Sequence, residues 1–481
     1  MSVLRSLAAN MAAIVSGKAT TAVAGLMTIM VLTRHLGPTE FGYYRTVLTY
    51  CAFAAVLADC GLYMINLREM SREGADAGRV AGNALALRFV STASILIVAA
   101  AVAWGTPYDL TVKWGVMIGA VIYTCLQASD FLVSIFQSVL KQGRNAVAEV
   151  IGALVTLAVV WVLATTHAGA LPMLGATLLG AALAMGISWR LAYRLVPFRP
   201  SFDRAMWRQF LVAGLPIAGA QILGMAMLRG DSLLLSFYQP ARDVGLYGVP
   251  SKLFEVATSI PYQFAGLMMP ALTAGALAGR VEFGTALRNA VDVGAVYGVG
   301  VILALALFAP QFLTLMAGVD FAAGAPALVI IAFGIALAGM THLLRFALVA
   351  CERPRLVLMG DSVACACAFA AYFALIPRYS FVGAAIGTVI AEVAAMICML
   401  IGLKRAGRPL PSLGNPLKAV FSGSVAAAAM LFLARFDVPW MLSLVLGGGI
   451  YLAGLALTRA IPRELILNVL RRRRVAYQGS V

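Results

Sequence analysis

Apolar runs long enough to cross a bilayer recur from about residue 10 to residue 459 of this 481-residue chain. That recurrence constrains the fold more than any single motif. Hydrocarbon offers no partner to a backbone N–H or C=O, so a spanning segment must satisfy its own polar groups. A run of about 20 mostly apolar residues does so as a helix. Fourteen runs meet this length: 10–33, 43–66, 81–105, 114–139, 147–165, 171–193, 210–237, 249–272, 286–309, 325–349, 356–376, 382–403, 417–434 and 439–459. Hydrophobic residues make up 62% of the chain and charged residues 12%, against roughly 45–50% and 25% in soluble domains. The expected fold is all-α and polytopic, with no room for a soluble domain. The first run reaches Thr33 and carries Lys18 in its middle, too long for a signal-peptide core of roughly 7–15 residues.

The formal charge of +16 would suggest nucleic acid in a soluble protein; in a membrane protein it must first be read by position. Loops on one side of the fourteen spans hold 25 of the 36 Lys and Arg residues, including Arg68, Arg72, Arg79, Lys141, Arg144, the connector Arg194 to Arg208, and Arg471 to Arg474. The other side holds five: Arg34, Lys113, Arg242, Arg378 and Arg435. The positive-inside bias then puts both termini in the cytoplasm, and the basic charge no longer calls for nucleic acid as a partner. One miscounted span would scramble the alternation, which supports an even number.

Several chemistries are disfavoured. External loops are short, which argues against an enzyme that works through a large external domain. No catalytic constellation stands out, and Gly17-Lys18 fails as a P-loop because Ala12 and Ala19 occupy the deciding positions. The seven cysteines lie almost entirely in apolar runs and lack metal or redox spacing. Three scattered histidines make no metal site. No cofactor is implied, and His342, one turn from Arg345, reads as a bundle histidine ahead of a proton relay.

The two blocks of six spans repeat a pattern. Glu40-Phe41-Gly42-Tyr43-Tyr44 follows the first span and Asp243-Val244-Gly245-Leu246-Tyr247 follows the seventh. Both read acid-x-Gly-x-Tyr at the same topological position. The carboxylate suits a helix cap, Gly a tight turn and Tyr the membrane interface. Six is even, so the repeats are parallel. The expectation is an N-lobe over 1–200, a C-lobe over 201–405 around a central cavity, a peripheral helix pair over 406–460, and a basic cytoplasmic tail over 461–481. In that tail Leu465, Ile466, Val469 and Leu470 suit an amphipathic helix on anionic lipid, and topology anchoring explains its arginines equally well.

These stretches, Leu36-Gly37-Pro38 with Phe41-Gly42-Tyr43-Tyr44 and Asp231-Ser232-Leu233 through Val244-Gly245-Leu246-Tyr247 to Lys252-Leu253 and Pro270, resemble the polysaccharide-transport branch of the MOP superfamily. Its members are Wzx-type flippases of lipid-linked O-antigen or exopolysaccharide repeat units. The resemblance implies two six-helix lobes, alternating access, a substrate of undecaprenyl diphosphate carrying a short glycan, and a place beside lipopolysaccharide or exopolysaccharide polymerase and export machinery. The rival within the superfamily is a MATE-like antiporter of small organic cations. A net positive cavity is expected of the flippase and a net negative one of the exporter.

Six bases fall within spans, where charge is expensive and faces a polar interior. Lys18 and Arg88 lie roughly 12 Å inside from the cytoplasmic side and are the first candidates for a diphosphate. Arg229, deep in the seventh span, is the third, Arg being suited to bidentate phosphate binding. The alternative for each is an ion pair inside the bundle. Arg45, Lys252 and Arg345 sit near span ends and can snorkel, and Lys252 with Glu255 shares a helix face. Among the acids, Asp130, Glu392, Asp59 and Asp231 are candidates for ion coupling, the first two lacking a local basic partner.

Overall fold

A computed structural model describes residues 2–72, 76–139 and 141–460. Among them every regular element is helical: α1 Ser2–Asp59, α2 Leu62–Met70, α3 Ala77–Gly105, α4 Leu110–Ser138, α5 Gly143–Ala164, α6 Ala170–Tyr193, α7 Arg204–Tyr238, α8 Ala241–Ala278, α9 Arg280–Leu305, α10 Ala309–Ala317, α11 Ala325–Ala350, α12 Pro354–Arg405, α13 Gly414–Ala434 and α14 Trp440–Leu457. The tail after Pro462, with Arg463 and Arg471 to Arg474, lies outside the described residues.

The fourteen spans read from hydropathy all fall on these helices, but not one to one. Eleven helical stretches among the described residues are long and apolar enough to cross a membrane. Two of them carry two spans each. α1 bends at Gly37, whose φ of 65° is a left-handed conformation that glycine adopts without a Cβ penalty; Pro38 follows and removes a backbone donor. α12 breaks at Ser380 (φ 50°) just after Pro377. α8, with Pro250, Pro261 and Pro270 along its 38 residues, is not among the eleven yet covers the expected eighth span. Two features were not legible beforehand. The second span is interrupted at Cys60 and Gly61, both at positive φ, which makes α2 a separate helix. The loop after α9 contains α10 and a 3₁₀ turn, Val319–Gly324.

The described chain divides into two compact units, one running to Gly248 and taking in Met316–Asp320, the other holding the rest from Val249. By packing, α7 belongs to the first, against α1, α2 and α3. The boundary expected near residue 200 rests instead on chain symmetry. Without a water-driven force between helices in lipid, such contacts rely on close packing and on polar bonds between helices.

In the first unit, Leu85, Phe131, Leu132, Ile135 and Phe136 form a fully buried cluster, joined by Phe198 and Phe210. The basic connector before α7 is tied down locally. Asp203 caps α7 by accepting from Ala205 N (3.1 Å) and Met206 N (3.3 Å). Its other oxygen takes Arg79 Nη2 at 2.9 Å, and its own N–H donates to Asn83 Oδ1 at 2.7 Å. The Met206 N–H, Arg79 and the Ala205 N–H hold the exposed Asp203 carboxyl below the usual carboxylate range.

The repeated motif works differently from a local turn. Glu40 Oε2 accepts from Ala170 N at 2.8 Å, so it caps α6 rather than its own next helix. Tyr44 and Tyr247 are buried, not interfacial; Tyr44 bonds Thr177 at 3.0 Å and Tyr247 donates to Asp231 Oδ2 at 2.6 Å. The two motif glycines face each other's chain. A methyl at Gly42 would overlap the Ala241 carbonyl, and one at Gly245 would overlap that of Pro38. Glycine is required at both places for the approach of one repeat's backbone to the other's.

In the second unit, Leu272, Phe283, Leu287, Leu344, Leu348 and Leu403 are buried together. Arg408 lies 5.3 Å from the Phe283 ring centroid and donates to Ala276 O at 3.1 Å. α13 and α14 pack on each other and on α9. That contact is pinned by Tyr451 Oη to Val296 O (3.0 Å) and Asn415 Nδ2 to Asp292 Oδ2 (2.7 Å).

Candidate functional site

The first unit holds an open cavity of about 740 Å³, within the roughly 300–1,000 Å³ of small-molecule sites. Lys18, Arg88 and Arg229 all line it, from α1, α3 and α7. So do Asp59 and Asp130 from the set of candidate acids.

The three bases differ in how far their charge is already used. Arg88 is 3% exposed. Its Nη1 sits 2.5 Å from Asp59 Oδ1, and its Nη2 donates to Gln127 Oε1 at 2.7 Å. Gln127 is in turn held by donating Nε2 to Ala55 O. A buried ion pair of this kind stabilises only while both partners are present, so Arg88 and Asp59 form a fixed strut across α1, α3 and α4. Lys18 is exposed and makes no ion pair among the described residues; Glu149 stands within range of its charge. Arg229 is half-buried, with Tyr123 in its field.

The acids divide in the same way. Asp130 is exposed to the cavity and makes no ion pair or hydrogen bond among the described residues. The charges acting on it are those of Arg88, Glu149 and Asp59. Asp231, 6% exposed, is held by Tyr247 and by Ser232 N at 2.5 Å, away from the cavity lining.

The remaining candidates lie elsewhere. Arg45 runs beside Gly248 and acts on Asp231. Lys252 pairs with Glu255 at 3.1 Å, the local pair its spacing implies. Arg345 is taken up by Asp361, Nη2 to Oδ1 at 2.7 Å. Its Nη1 donates to His342 Nδ1 at 2.8 Å, which places the imidazole proton on Nε2. Glu392, half-buried, has Thr341 and Arg345 for company. Of these, Lys252, Arg345 and Glu392 belong to the second unit and Arg45 to the first.

Sequence reading missed the polar remainder of the cavity wall: Glu149, Tyr63, Tyr123 and the glutamines at 127, 137, 142 and 221. A signal existed. Tyr123, Gln127, Asp130 and Gln137 recur at helical spacing on one face of α4, a polar stripe in an otherwise apolar span. Gln137 accepts from Tyr63 Oη at 2.7 Å, Glu149 accepts from Asn145 Nδ2 at 2.6 Å, and Gln221 Oε1 is buried without a hydrogen-bond partner among the described residues. Counted formally, three bases face three acids in this wall, so the sign of its charge does not separate a flippase from a cation exporter.

A many-helix membrane bundle with a mixed-charge cavity in its first half defines a class of transporter, and comparison with solved structures agrees on the fold. The chain is similar to the lipid II flippase MurJ in an inward closed conformation, with TM-score 0.74 and 14% identity over 94% of this chain and 99% of that one. It is also similar to an inward-facing multidrug resistance MATE family transporter of the MOP superfamily, with TM-score 0.62 and 16% identity over 80% and 94%. A MOP superfamily transporter from Pyrococcus furiosus matches with TM-score 0.52 and 16% identity over 82% and 94%. No curated protein sequence matches. The family described as polysaccharide biosynthesis protein matches residues 7–274, more than half of the chain, and the protein belongs to that family.

Proposed function

We propose that this protein is a flippase that moves undecaprenyl-diphosphate-linked oligosaccharide repeat units from the cytoplasmic to the periplasmic leaflet of a bacterial inner membrane by alternating access. Membership of the polysaccharide biosynthesis family carries this reading. The physical need is plain. A diphosphate with its sugars cannot cross hydrocarbon unaided, because each unsatisfied polar group costs several kcal/mol. The cavity supplies a polar path while the polyprenyl tail stays in lipid. Lys18 and Arg229 are the bases for the diphosphate, and Arg88 holds the wall through Asp59. The distribution of Lys and Arg supports cytoplasmic termini. No covalent step is involved, and a polymerase or export system would take up the product.

The test is transport of a fluorescent undecaprenyl-diphosphate glycan in proteoliposomes, comparing wild type with Lys18→Ala and Arg229→Ala at matched folded amounts. Wild type flips the lipid, and each substitution slows flipping at least about tenfold, roughly 1.4 kcal/mol of lost stabilisation. An inactive wild type overturns the reading. One observation favours a second reading, cation antiport: the carboxylate of Asp130 in the cavity, which makes no ion pair among the described residues. Efflux of a lipophilic cation that collapses in Asp130→Asn would support it.

A further inference from the structure

The cavity wall carries more information than a place for a diphosphate. Arg88 and Asp59 neutralise each other, and the other charged side chains of the lining are the bases Lys18 and Arg229 and the acids Asp130 and Glu149. A diphosphate joining a lipid to a sugar brings about two negative charges, enough to match the two bases. Nothing cationic then remains in the lining. The groups that are left are acceptors and amides: the Asp130 carboxylate, the second oxygen of Glu149, and the side chains of Gln137, Gln142 and Gln221.

We infer that this wall selects the glycan, accepting sugars that present hydroxyl or amine donors and rejecting sugars that bear a carboxylate, with Asp130 and Glu149 as the excluding groups. The inference rests on the flippase reading above and adds the substrate class. Carboxylates and amides with open acceptor sites suit sugar hydroxyls, each of which can donate. A uronic acid would instead put a third carboxylate beside the two already in this wall, where like charges repel. Such juxtaposition suppresses wrong partners, and repulsion of this kind is how a polar site separates near-isosteric ligands. Asp130 suits the role because no described residue neutralises it. Glu149 keeps an oxygen available, since Asn145 occupies Oε1 alone.

The experiment uses two undecaprenyl-diphosphate disaccharides that differ only in the terminal sugar, glucosyl or glucuronosyl. Each is measured for flipping in proteoliposomes and for binding to the purified full-length protein by native mass spectrometry. Wild type flips and binds the glucosyl form at least about tenfold better, equivalent to roughly 1.4 kcal/mol. In Asp130→Asn and in Glu149→Gln the ratio moves towards one, whatever happens to the absolute rate. Two variants guard against one that fails to fold, and binding reads the ratio even without transport. A wild-type ratio near one overturns the inference, as does a ratio unchanged in both variants. Asp130→Asn abolishing flipping of both lipids with an unchanged binding ratio assigns that residue to coupling and also overturns it. Binding with the expected ratio but no flipping sustains the selectivity and sinks the transport reading; binding of neither lipid sinks both.

Discussion

Two groups of membrane-embedded charges in this protein have opposite fates. In the second unit, Arg345 gives its donors to Asp361 and His342, and Lys252 is paired with Glu255 one turn away. Their partners lie on the same helix or on neighbouring ones, and the charge is locally used up. In the first unit Arg88 is treated this way too, sealed against Asp59 and Gln127. Lys18 and Asp130 share the cavity with it and have no ion-pair partner among the described residues. A charge in a membrane span is therefore no guide to function by itself. What matters is whether its field is already answered by the protein, because only an unanswered charge has interaction energy left for a ligand.

The sharpest way to break this comparison is Arg88→Ala. Removing one member of a buried pair leaves Asp59 uncompensated, and the expected loss is about 3–5 kcal/mol, read as thermal unfolding in detergent. Asp59→Asn together with Arg88→Gln should recover much of it. If Arg88→Ala is as stable as wild type but inactive, Arg88 contacts substrate directly. Next in size is Arg345→Ala, which strips the donors from Asp361 and His342 and should cost about 1–3 kcal/mol by the same measurement. Lys18→Ala should instead stay within about 0.5 kcal/mol of wild type while flipping falls at least about tenfold. A stability loss like that of Arg88 would place Lys18 among the committed charges. The smallest effect is outside the membrane. The carboxyl of Asp203 is held below its ordinary range, so its stabilisation is present at neutral pH and is lost as pH falls through its folded-state value. The difference in unfolding temperature between wild type and Asp203→Asn should be visible at pH 7 and close on acidification.

The close packing of Gly42 and Gly245 against the opposite repeat's backbone shows how far a motif can be read. Its recurrence was visible in the chain, as was its topological position. Its work was not: Glu40 reaches across to cap α6, and the tyrosines turn inward to Thr177 and Asp231. Sequence separation hides such contacts, since the cap joins residues 130 apart.

What the sequence determined alone is everything that depends on local transfer energy. Twenty apolar residues in a row must be helical in lipid, so the fourteen spans, their connectors and the lopsided distribution of Lys and Arg follow from reading along the chain. The local pair of Lys252 and Glu255 was legible for the same reason, because helical spacing sets it. Only the tertiary structure decided that Arg88 meets Asp59 while Asp130 makes no ion pair among the described residues, that Gln137, Gln221 and Glu149 share one cavity, and that α7 packs with the first unit. Those outcomes depend on which helix faces are brought together, and Coulomb and hydrogen-bond energies fall off over a few ångströms of space rather than along the chain.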